Sequence, residues 1–277
     1  MTNRQVEAGE VRVNLAEAGE GEPVLLLHGW PQHHQMWREV MRRLASRYRL
    51  IAPDLRGFGW TEAPGHGYDG DTFARDQVAL LDALDIERAK VIGHDWGGWT
   101  AMLLGLDHSE RIERMIVVDA PHPWPSRRLS DFRELWRSWY AGVLAAPVLG
   151  PRVLRRTDFV KGILTRAAPP GTFEQAELDS YANSFRPAER ARAVNSLYRY
   201  YHRVFVSALR GRWRDRRLRV PTLLLFGADD LYVTAKLVDG YQPYADEMRA
   251  EIVSGAGHFL VDERPDLICE RAVEFFG

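Results

Sequence analysis

The feature of this sequence that most constrains its fold is a series of short apolar runs, each of which stops near a glycine or a polar residue. Such runs are typical of strands that are buried on both faces of a parallel sheet. They cover residues 24–27, 50–52, 91–92, 115–118 and 222–226, and a weaker run follows at 251–253. Stretches at 35–45, 72–84 and 99–106 have the apolar spacing of amphipathic helices. Strands that alternate with helices predict an α/β fold with a mostly parallel central sheet flanked by helices.

The alternation is interrupted between residues 121 and 216. Pro121, Pro123 and Pro125 open this stretch, which has helix-forming segments and many aromatic residues but no strand-like run. A chain of 277 residues, at roughly 150 residues per domain, suggests about two domains. We therefore expect one core, formed by residues 1–120 and 217–277, with a helical cap inserted at residues 121–216.

Residues 93–98, with the sequence Gly-His-Asp-Trp-Gly-Gly, stand between a predicted strand and a predicted helix. The glycines permit the sharp strand-to-helix turn called a nucleophile elbow, which raises the central side chain over the sheet edge. That residue is Asp95. The helix start favours its ionised form, and the backbone N–H of Trp96 points toward the site. An aspartate that merely caps the helix is the alternative that this pattern leaves open.

Two further segments favour a catalytic site at the carboxyl edge of the sheet, where ligands of parallel α/β proteins bind. His28-Gly29-Trp30-Pro31 follows an earlier strand, where this architecture places a second oxyanion N–H, here that of Trp30. Asp230 and His258 follow later strands, and the chain order Asp95, Asp230, His258 is that of a nucleophile, an acid and a histidine in a catalytic triad.

At these residues the chain resembles the α/β-hydrolase fold family, and within it the epoxide hydrolase and haloalkane dehalogenase branch, whose nucleophile is an aspartate. Residues 28–31 are similar to the epoxide hydrolase motif His-Gly-X-Pro, and residues 54–59 are similar to the loop after the next strand. The resemblance runs over nearly the whole chain. The family's Gly-X-X-Asp spacing selects Asp230 as the acid, whereas some relatives carry the acid at the position of Asp119.

The resemblance also implies two tyrosines that donate to the epoxide oxygen as the ring opens. Tyr140 and Tyr198 match the two cap segments from which epoxide hydrolases take these residues. Because the register of the second segment is open, Tyr200 and Tyr201 remain alternatives to Tyr198.

An aspartate nucleophile suits attack at a saturated carbon, because the alkyl ester that it forms can be hydrolysed at its own carbonyl. The resemblance then implies an epoxide hydrolase that converts a small-to-medium organic epoxide to a vicinal diol. Asp95 would form the ester, His258 would activate water, and Asp230 would orient His258. The backbone N–H groups of Trp30 and Trp96 would form the oxyanion hole. A haloalkane dehalogenase with the same nucleophile is the first alternative, and a non-catalytic hydrolase-like binding module is the second.

Other aromatic and imidazole side chains are assigned to the pocket or to structural roles. We expect the substrate pocket to be lined by His28, Pro31, Trp99 and Phe259. His33, His34 and His122 lack metal-ligand spacing and acidic company, so we expect loop or solvent-exposed roles for them, and neither a metal nor another cofactor.

Charge and cysteine content exclude several partner classes. With 37 basic and 38 acidic side chains the net charge is −1, so no overall field attracts nucleic acid or an acidic membrane surface. The six arginines among residues 210–219 are expected to pair with nearby acids. A single cysteine, Cys269, excludes an intrachain disulfide, and the start of the chain lacks a signal peptide pattern. We expect a cytoplasmic monomer or homodimer whose partners are a small epoxide and water, with no nucleic acid and no membrane.

Overall fold

The computed structural model describes residues 1–125, 137–233 and 238–277. Its centre is an eight-stranded sheet in the order β1-β2-β4-β3-β5-β6-β7-β8. The strands are β1 (Thr2–Ala8), β2 (Val11–Ala18), β3 (Glu22–Leu27), β4 (Tyr48–Pro53), β5 (Ala89–His94), β6 (Ile112–Val118), β7 (Thr222–Gly227) and β8 (Met248–Val253). Strands β3 to β8 run parallel, whereas β1 and β2 form an antiparallel hairpin that joins β4 through β2.

The central parallel strands are buried on both faces, which is why they appear in the sequence as unbroken apolar runs. Along β3, Leu25 and Leu27 belong to the hydrophobic core on one face of the sheet, and Val24 and Leu26 belong to the core on the other. The predicted fold class, with its mostly parallel sheet between layers of helices, is confirmed.

The hairpin of β1 and β2 lies before residue 24, where no strand is predicted from the sequence. The strand β1 is exposed along most of its length and carries polar residues such as Arg4 and Gln5, so it has no apolar run. An edge strand needs only partial cover, and its apolar pattern is correspondingly weak. Periodicity therefore finds the parallel strands β3 to β8 and misses the antiparallel hairpin, of which β1 is an exposed edge strand and β2 is mostly buried.

The helices of the described ranges are α1 (Arg38–Leu44), α2 (Gly70–Ala83), α3 (Trp96–Asp107), α4 (Trp139–Ala145), α5 (Leu149–Arg156), α6 (Phe159–Ala167), α7 (Gln175–Ser184), α8 (Ala188–Arg210), α9 (Leu260–Glu263) and α10 (Pro265–Phe276). Helices α1 and α10 cover one face of the sheet, and α2 and α3 cover the other. The helix predicted at 35–45 is a 3-10 turn, His34–Trp37, followed by α1. None of these helices combines the length and apolar character that a bilayer crossing requires.

The five helices α4 to α8 lie between β6 and β7 in the chain, and residues 121–216 contain no strand within their described part. The predicted cap range also includes residues 126–136, which lie outside the described residues. The long helix α8 docks these helices onto the sheet side of the molecule. Arg190 Nη1 donates hydrogen bonds to the carbonyl oxygens of Phe58 (3.0 Å) and Thr61 (2.9 Å), which bridges α8 to the loop after β4.

Three arginines of the segment 210–219 form ion pairs with acids of the core. The pairs are Arg212 with Asp71, Arg216 with Asp107, and Arg217 with Asp246. The interpretation of this segment as a linker whose arginines pair with nearby acids is confirmed for these three residues.

Candidate active site

The turn between β5 and α3 places Asp95 at the carboxyl edge of the sheet. Asp95 has a φ of +51° and a ψ of −116°, a backbone conformation that residues other than glycine rarely adopt. Its peptide is held on both sides, because its N–H donates to Val118 O (3.0 Å) and its carbonyl accepts from Trp99 N (2.9 Å). A Cβ on Gly97 would lie 2.2 Å from Leu27 O, so this turn of α3 requires glycine. The predicted nucleophile elbow is present in the structure.

The carboxylate of Asp95 lies in a cradle of two backbone N–H groups. Its Oδ1 accepts hydrogen bonds from Trp30 N at 3.0 Å and from Trp96 N at 2.6 Å. These are the two donors that the sequence predicts for an oxyanion hole. The approach of the two loops depends on Gly29, where a Cβ would lie 2.4 Å from Asp95 Cβ. The arrangement leaves Oδ2 as the oxygen of Asp95 that faces the rest of the site.

His258 lies between two carboxylates. Its Nδ1 is 2.8 Å from Asp230 Oδ2, and its Nε2 is 3.6 Å from Asp95 Oδ2. The other oxygen of Asp230 accepts from the backbone N–H groups of Tyr232 (2.6 Å) and Val233 (3.0 Å), which fixes the carboxylate. The structure therefore brings Asp95, His258 and Asp230 together from three separate strand ends, in the order that acid–base catalysis requires.

Asp119, the rival acid, takes a different position. Its Oδ1 accepts from Gly227 N at 2.8 Å, and within the described ranges it makes no hydrogen bond to His258. Burial, followed by the nearby charge of Asp230, raises the pKa of Asp119 well above its ordinary value. Burial therefore favours the neutral form of this carboxyl group, which ties the ends of β6 and β7 together, while Asp230 is the residue that bonds the imidazole.

The electrostatics of His258 follow from its two neighbours. Burial of the imidazole lowers its pKa, but the carboxylates of Asp230 and Asp95 outweigh burial and hold the pKa of His258 well above its ordinary value. The resting site is therefore an imidazolium between two carboxylates. Any change that removes the charge of Asp95 also removes part of the support for the charged imidazole.

Two of the candidate tyrosines, Tyr140 and Tyr198, lie above this site. Their rings contact each other (centroids 5.8 Å apart), and both contact the indole of Trp30. The ring of Tyr198 also packs edge-to-face against the indole of Trp96, with the ring centroids 6.0 Å apart. Burial raises the pKa of both phenols well above the ordinary value, so both are protonated donors across the working pH range.

The two alternatives to Tyr198 have other partners. The Tyr200 hydroxyl accepts from Trp99 Nε1 at 3.4 Å, and the Tyr201 hydroxyl donates to Ser138 Oγ at 3.2 Å. Of the three, Tyr198 is the residue whose ring packs against Tyr140. The geometry therefore favours Tyr198 as the partner of Tyr140.

The four predicted pocket residues have different surroundings. Pro31 follows Trp30 through a cis peptide in the oxyanion loop, and the ring of Phe259 packs 5.1 Å from that of His258. Trp99 packs against Trp213 and bonds Tyr200, so it joins α3 to the helices between β6 and β7. His28 uses its ring nitrogens on backbone groups: Nε2 accepts from Leu55 N and Nδ1 lies 3.0 Å from Gly29 O. His28 thus fixes the loops beneath the site.

Three residues next to the site were not singled out by sequence reasoning. The ring of Tyr232 packs 4.9 Å from Tyr140 and 5.3 Å from His258. His94 Nε2 lies 2.7 Å from the backbone oxygen of His258. Glu263 accepts hydrogen bonds from the backbone on both sides of His258. The sequence carries no signal for these contacts, since each depends on how a loop closes over the site.

The expectation that His33 and His34 lack acidic company and take loop or solvent-exposed roles is only partly right, because His33 does lie in a loop but neither residue is exposed or far from an acid. Both are buried, and Asp54 accepts from His34 N (2.8 Å) and lies 2.9 Å from His34 Nδ1. His33, His34 and Asp54 are close enough to be tested as ligands for a metal ion. However, both oxygens of Asp54 are already used, since Oδ2 accepts from Asn14 Nδ2 and Trp60 N, each at 2.9 Å. The Asp54 carboxylate is therefore satisfied by hydrogen bonds, whereas His33 Nδ1 and His34 Nε2 have no hydrogen-bond partner within the described residues. His122 is also buried, and its Nε2 lies 3.1 Å from Val238 O.

Comparison with known proteins agrees with this geometry. Residues 22–265 match the family model of the α/β-hydrolase fold. Epoxide hydrolase 4 of Homo sapiens is 31% identical, with 95% of this chain and 75% of that protein covered. Haloalkane dehalogenase 2 of Mycobacterium tuberculosis is 28% identical, with 99% of this chain and 95% of that protein covered. A solved epoxide hydrolase from Vigna radiata matches with a TM-score of 0.83 at 27% identity, over 99% of this chain and 97% of that one. The chain is therefore an enzyme of the α/β-hydrolase fold family and belongs to its epoxide hydrolase branch.

Proposed function

We propose that this enzyme hydrolyses a small-to-medium organic epoxide to a vicinal diol through a covalent ester on Asp95. One observation carries the proposal: the Asp95 carboxylate lies in a cradle of two N–H groups, with its free oxygen 3.6 Å from His258 Nε2. Two buried phenols, those of Tyr140 and Tyr198, lie on the other side of the site. The arrangement supplies a nucleophile, a base and two donors for an oxygen leaving group.

In the first step Oδ2 of Asp95 attacks one carbon of the epoxide ring. A C–O ester bond forms and the ring C–O bond breaks, so the ring oxygen becomes an alkoxide. An alkoxide is a poor leaving group unless it is hydrogen bonded or protonated, and Tyr140 and Tyr198 provide that assistance, with one of them transferring its proton. Burial keeps both phenols neutral, so both can donate a hydrogen bond to the ring oxygen as the ring C–O bond breaks.

In the second step His258 removes a proton from water, and the resulting hydroxide attacks the carbonyl carbon of the ester. The carbonyl oxygen is Oδ1, which becomes the oxyanion between Trp30 N and Trp96 N. Each such donor contributes about 3 kcal/mol to stabilising the transition state. The hydroxyl of the tetrahedral intermediate gives its proton to the departing alkoxide, which leaves as the diol and restores the Asp95 carboxylate. His258 keeps the proton that it took from water and so returns to its protonated resting form.

The charge of His258 follows this cycle. In the resting site Asp95 and Asp230 together hold the pKa of the imidazole high. Ester formation neutralises Asp95, which removes one of those two charges and lowers the pKa of His258. The imidazolium then passes its proton to the tyrosinate left by the first step and becomes the neutral base that the second step needs. Asp230 keeps the proton on Nδ1 and leaves Nε2 free to accept.

The proposal includes the cap. Residues 121–216 act as a lid over a core of residues 1–120 and 217–277, and α4 and α8 contribute Tyr140 and Tyr198 from that lid. The walls that meet the substrate are aromatic, with Trp30, Trp96 and Tyr232 beside the two tyrosines. Such walls suit an uncharged organic epoxide. The enzyme uses water as its second substrate and needs no cofactor for this chemistry.

Haloalkane dehalogenation is the second candidate, and two observations favour it. The first is the similarity to a haloalkane dehalogenase, with 28% identity over almost the whole chain. The second is the indole N–H of Trp96 next to Asp95, which is the kind of weak donor that binds a halide. Against it, many dehalogenases have an asparagine where this chain has Trp30, and phenols are better suited to an alkoxide than to a halide. Family membership leaves the non-catalytic module without support.

A parallel assay of aryl and aliphatic epoxides and haloalkanes, following diol and halide release, tests the proposal. We expect diol formation from epoxides to be at least about tenfold faster than halide release, because the two tyrosine hydroxyls are better donors to a leaving alkoxide than to a halide. Halide release that exceeds diol formation across the panel would replace the proposal with the dehalogenase. Turnover of neither class would overturn both.

A further inference from the structure

The carboxylate of Glu263 accepts hydrogen bonds from the backbone on both sides of His258. Its Oε2 accepts from Gly257 N at 2.8 Å, and its Oε1 accepts from Phe259 N at 3.2 Å. These are the peptide N–H groups immediately before and after the catalytic histidine. We propose that Glu263 is a positioning residue that holds the His258 imidazole in line for the water-activating step. The inference rests on the two-step mechanism proposed above.

The third point of attachment is the carbonyl of His258. His94 Nε2 lies 2.7 Å from His258 O, and burial lowers the pKa of His94 to about 4, so its ring is neutral and Nε2 is the nitrogen that donates. His94 directly precedes the nucleophile. The peptide that carries the base is therefore fixed to the elbow on its carbonyl side and to Glu263 on its N–H side.

The position of Glu263 makes it suited to this task. It ends the single-turn helix α9, and its own N–H donates to Phe259 O at 2.9 Å, so Phe259 and Glu263 exchange hydrogen bonds. The loop before Glu263 is tightly packed, because a Cβ on Gly257 would lie 2.7 Å from Ala167 O and 3.0 Å from Glu263 Oε1. A carboxylate offers a separate oxygen to each N–H group, whereas an amide in its place offers one acceptor oxygen and a methyl group offers none.

Loss of the two hydrogen bonds to Glu263 affects one step of the reaction, the hydrolysis of the ester. The first step uses Asp95 and the two tyrosines, and none of their contacts passes through Glu263. The second step needs Nε2 of His258 within reach of water while Nδ1 keeps its 2.8 Å bond to Asp230. Because proton transfer falls off steeply with misplacement, a shift of the His258 backbone slows ester hydrolysis and spares ester formation.

The test compares Glu263→Gln and Glu263→Ala with the wild type in single-turnover quench-flow experiments on an epoxide that the wild type turns over. Mass spectrometry of the quenched enzyme gives the rate of ester formation and the rate of ester hydrolysis separately. We expect hydrolysis to slow about tenfold to a hundredfold, more in the alanine variant than in the glutamine variant, while ester formation stays within about twofold. The ester then accumulates, and the pH profile of the hydrolysis step shifts.

Glu270→Gln is the matched control, because Glu270 is an exposed glutamate on the next helix whose ion pair is with Arg271. It should leave both rates unchanged. If both steps fall by the same factor in the Glu263 variants, Glu263 only supports the fold and the inference is wrong. If neither step changes, it is also wrong.

His258→Ala separates this inference from the proposed function. If that variant forms no ester, the covalent mechanism fails and the inference fails with it. If it accumulates ester while the Glu263 variants hydrolyse theirs at the wild-type rate, the mechanism stands and only the role of Glu263 is overturned.

Discussion

Replacing Asp230 with asparagine should impair the enzyme through the tautomer of His258. Asp230 Oδ1 accepts two backbone N–H groups, those of Tyr232 and Val233, so an asparagine at this position must place its carbonyl oxygen there. Its NH₂ group then takes the place of Oδ2, 2.8 Å from His258 Nδ1. An amide N–H at that point forces Nδ1 to accept and moves the imidazole proton to Nε2. The base can no longer take a proton from water.

The magnitude follows from this forced tautomer. A wrong tautomer with intact geometry costs about 10⁴-fold in rate, or about 5.5 kcal/mol of transition-state free energy. The loss should appear in ester hydrolysis, whereas ester formation should remain, so Asp230→Asn should accumulate the covalent intermediate.

The assay is single-turnover kinetics with mass spectrometry, together with ¹⁵N-detected NMR of the His258 ring to identify the protonated nitrogen. Asp229→Asn is the control, because Asp229 is the exposed neighbour and should behave as the wild type. Hydrolysis within about tenfold of the wild-type rate in Asp230→Asn would refute the reasoning. It would mean that another acid, such as Asp119, supports the imidazole.

Three further predictions concern the donors, the buried acid and the elbow. Tyr140→Phe should slow epoxide opening about a hundredfold and spare any halide release; equal loss on both substrates, by parallel assay, would remove Tyr140 as the oxygen donor. Because burial raises the pKa of Asp119, wild-type stability should fall as pH rises from about 4 toward that pKa. Asp119→Asn should reduce this slope without removing it, because burial also raises the pKa of Asp262, to about 7; melting curves in which the variant keeps the full slope would contradict this. Gly97→Ala places a Cβ 2.2 Å from Leu27 O and should lower the free energy of unfolding by about 3 kcal/mol. The control Gly142→Ala has open space around its Cβ and should not destabilise the protein. Equal urea midpoints for the two variants would contradict this prediction.

The buried parts of the fold could be predicted from the sequence because their signals are local. A strand such as β3 that is covered on both faces must be apolar throughout, and a strand-to-helix turn as tight as the one at Asp95 must have glycines around it. The order of Asp95, Asp230 and His258 along the chain then places them at strand ends on the same edge of the sheet. Local pattern and topology together predict this edge for all three residues, and the choice of Asp230 over Asp119 came from the resemblance to the family.

The rest of the site depends on contacts between distant segments. Tyr198, Tyr200 and Tyr201 share one turn of α8, and only the docking of that helix decides that Tyr198 meets Tyr140. The burial of His34 against Asp54 comes from two loops 20 residues apart in the chain. Glu263 reaches the peptide of His258 only after α9 folds back. Such contacts leave no periodic trace in a sequence.

The most direct test of the proposed mechanism is one turnover in heavy-oxygen water with enzyme in excess over epoxide. If Asp95 Oδ2 becomes the ester oxygen and water attacks the carbonyl carbon, the diol takes its new oxygen from the enzyme. We expect an unlabelled diol and an Asp95 peptide that gains the mass of one heavy oxygen. A labelled diol with an unlabelled Asp95 peptide would show that water attacks the epoxide directly, and would contradict the covalent mechanism.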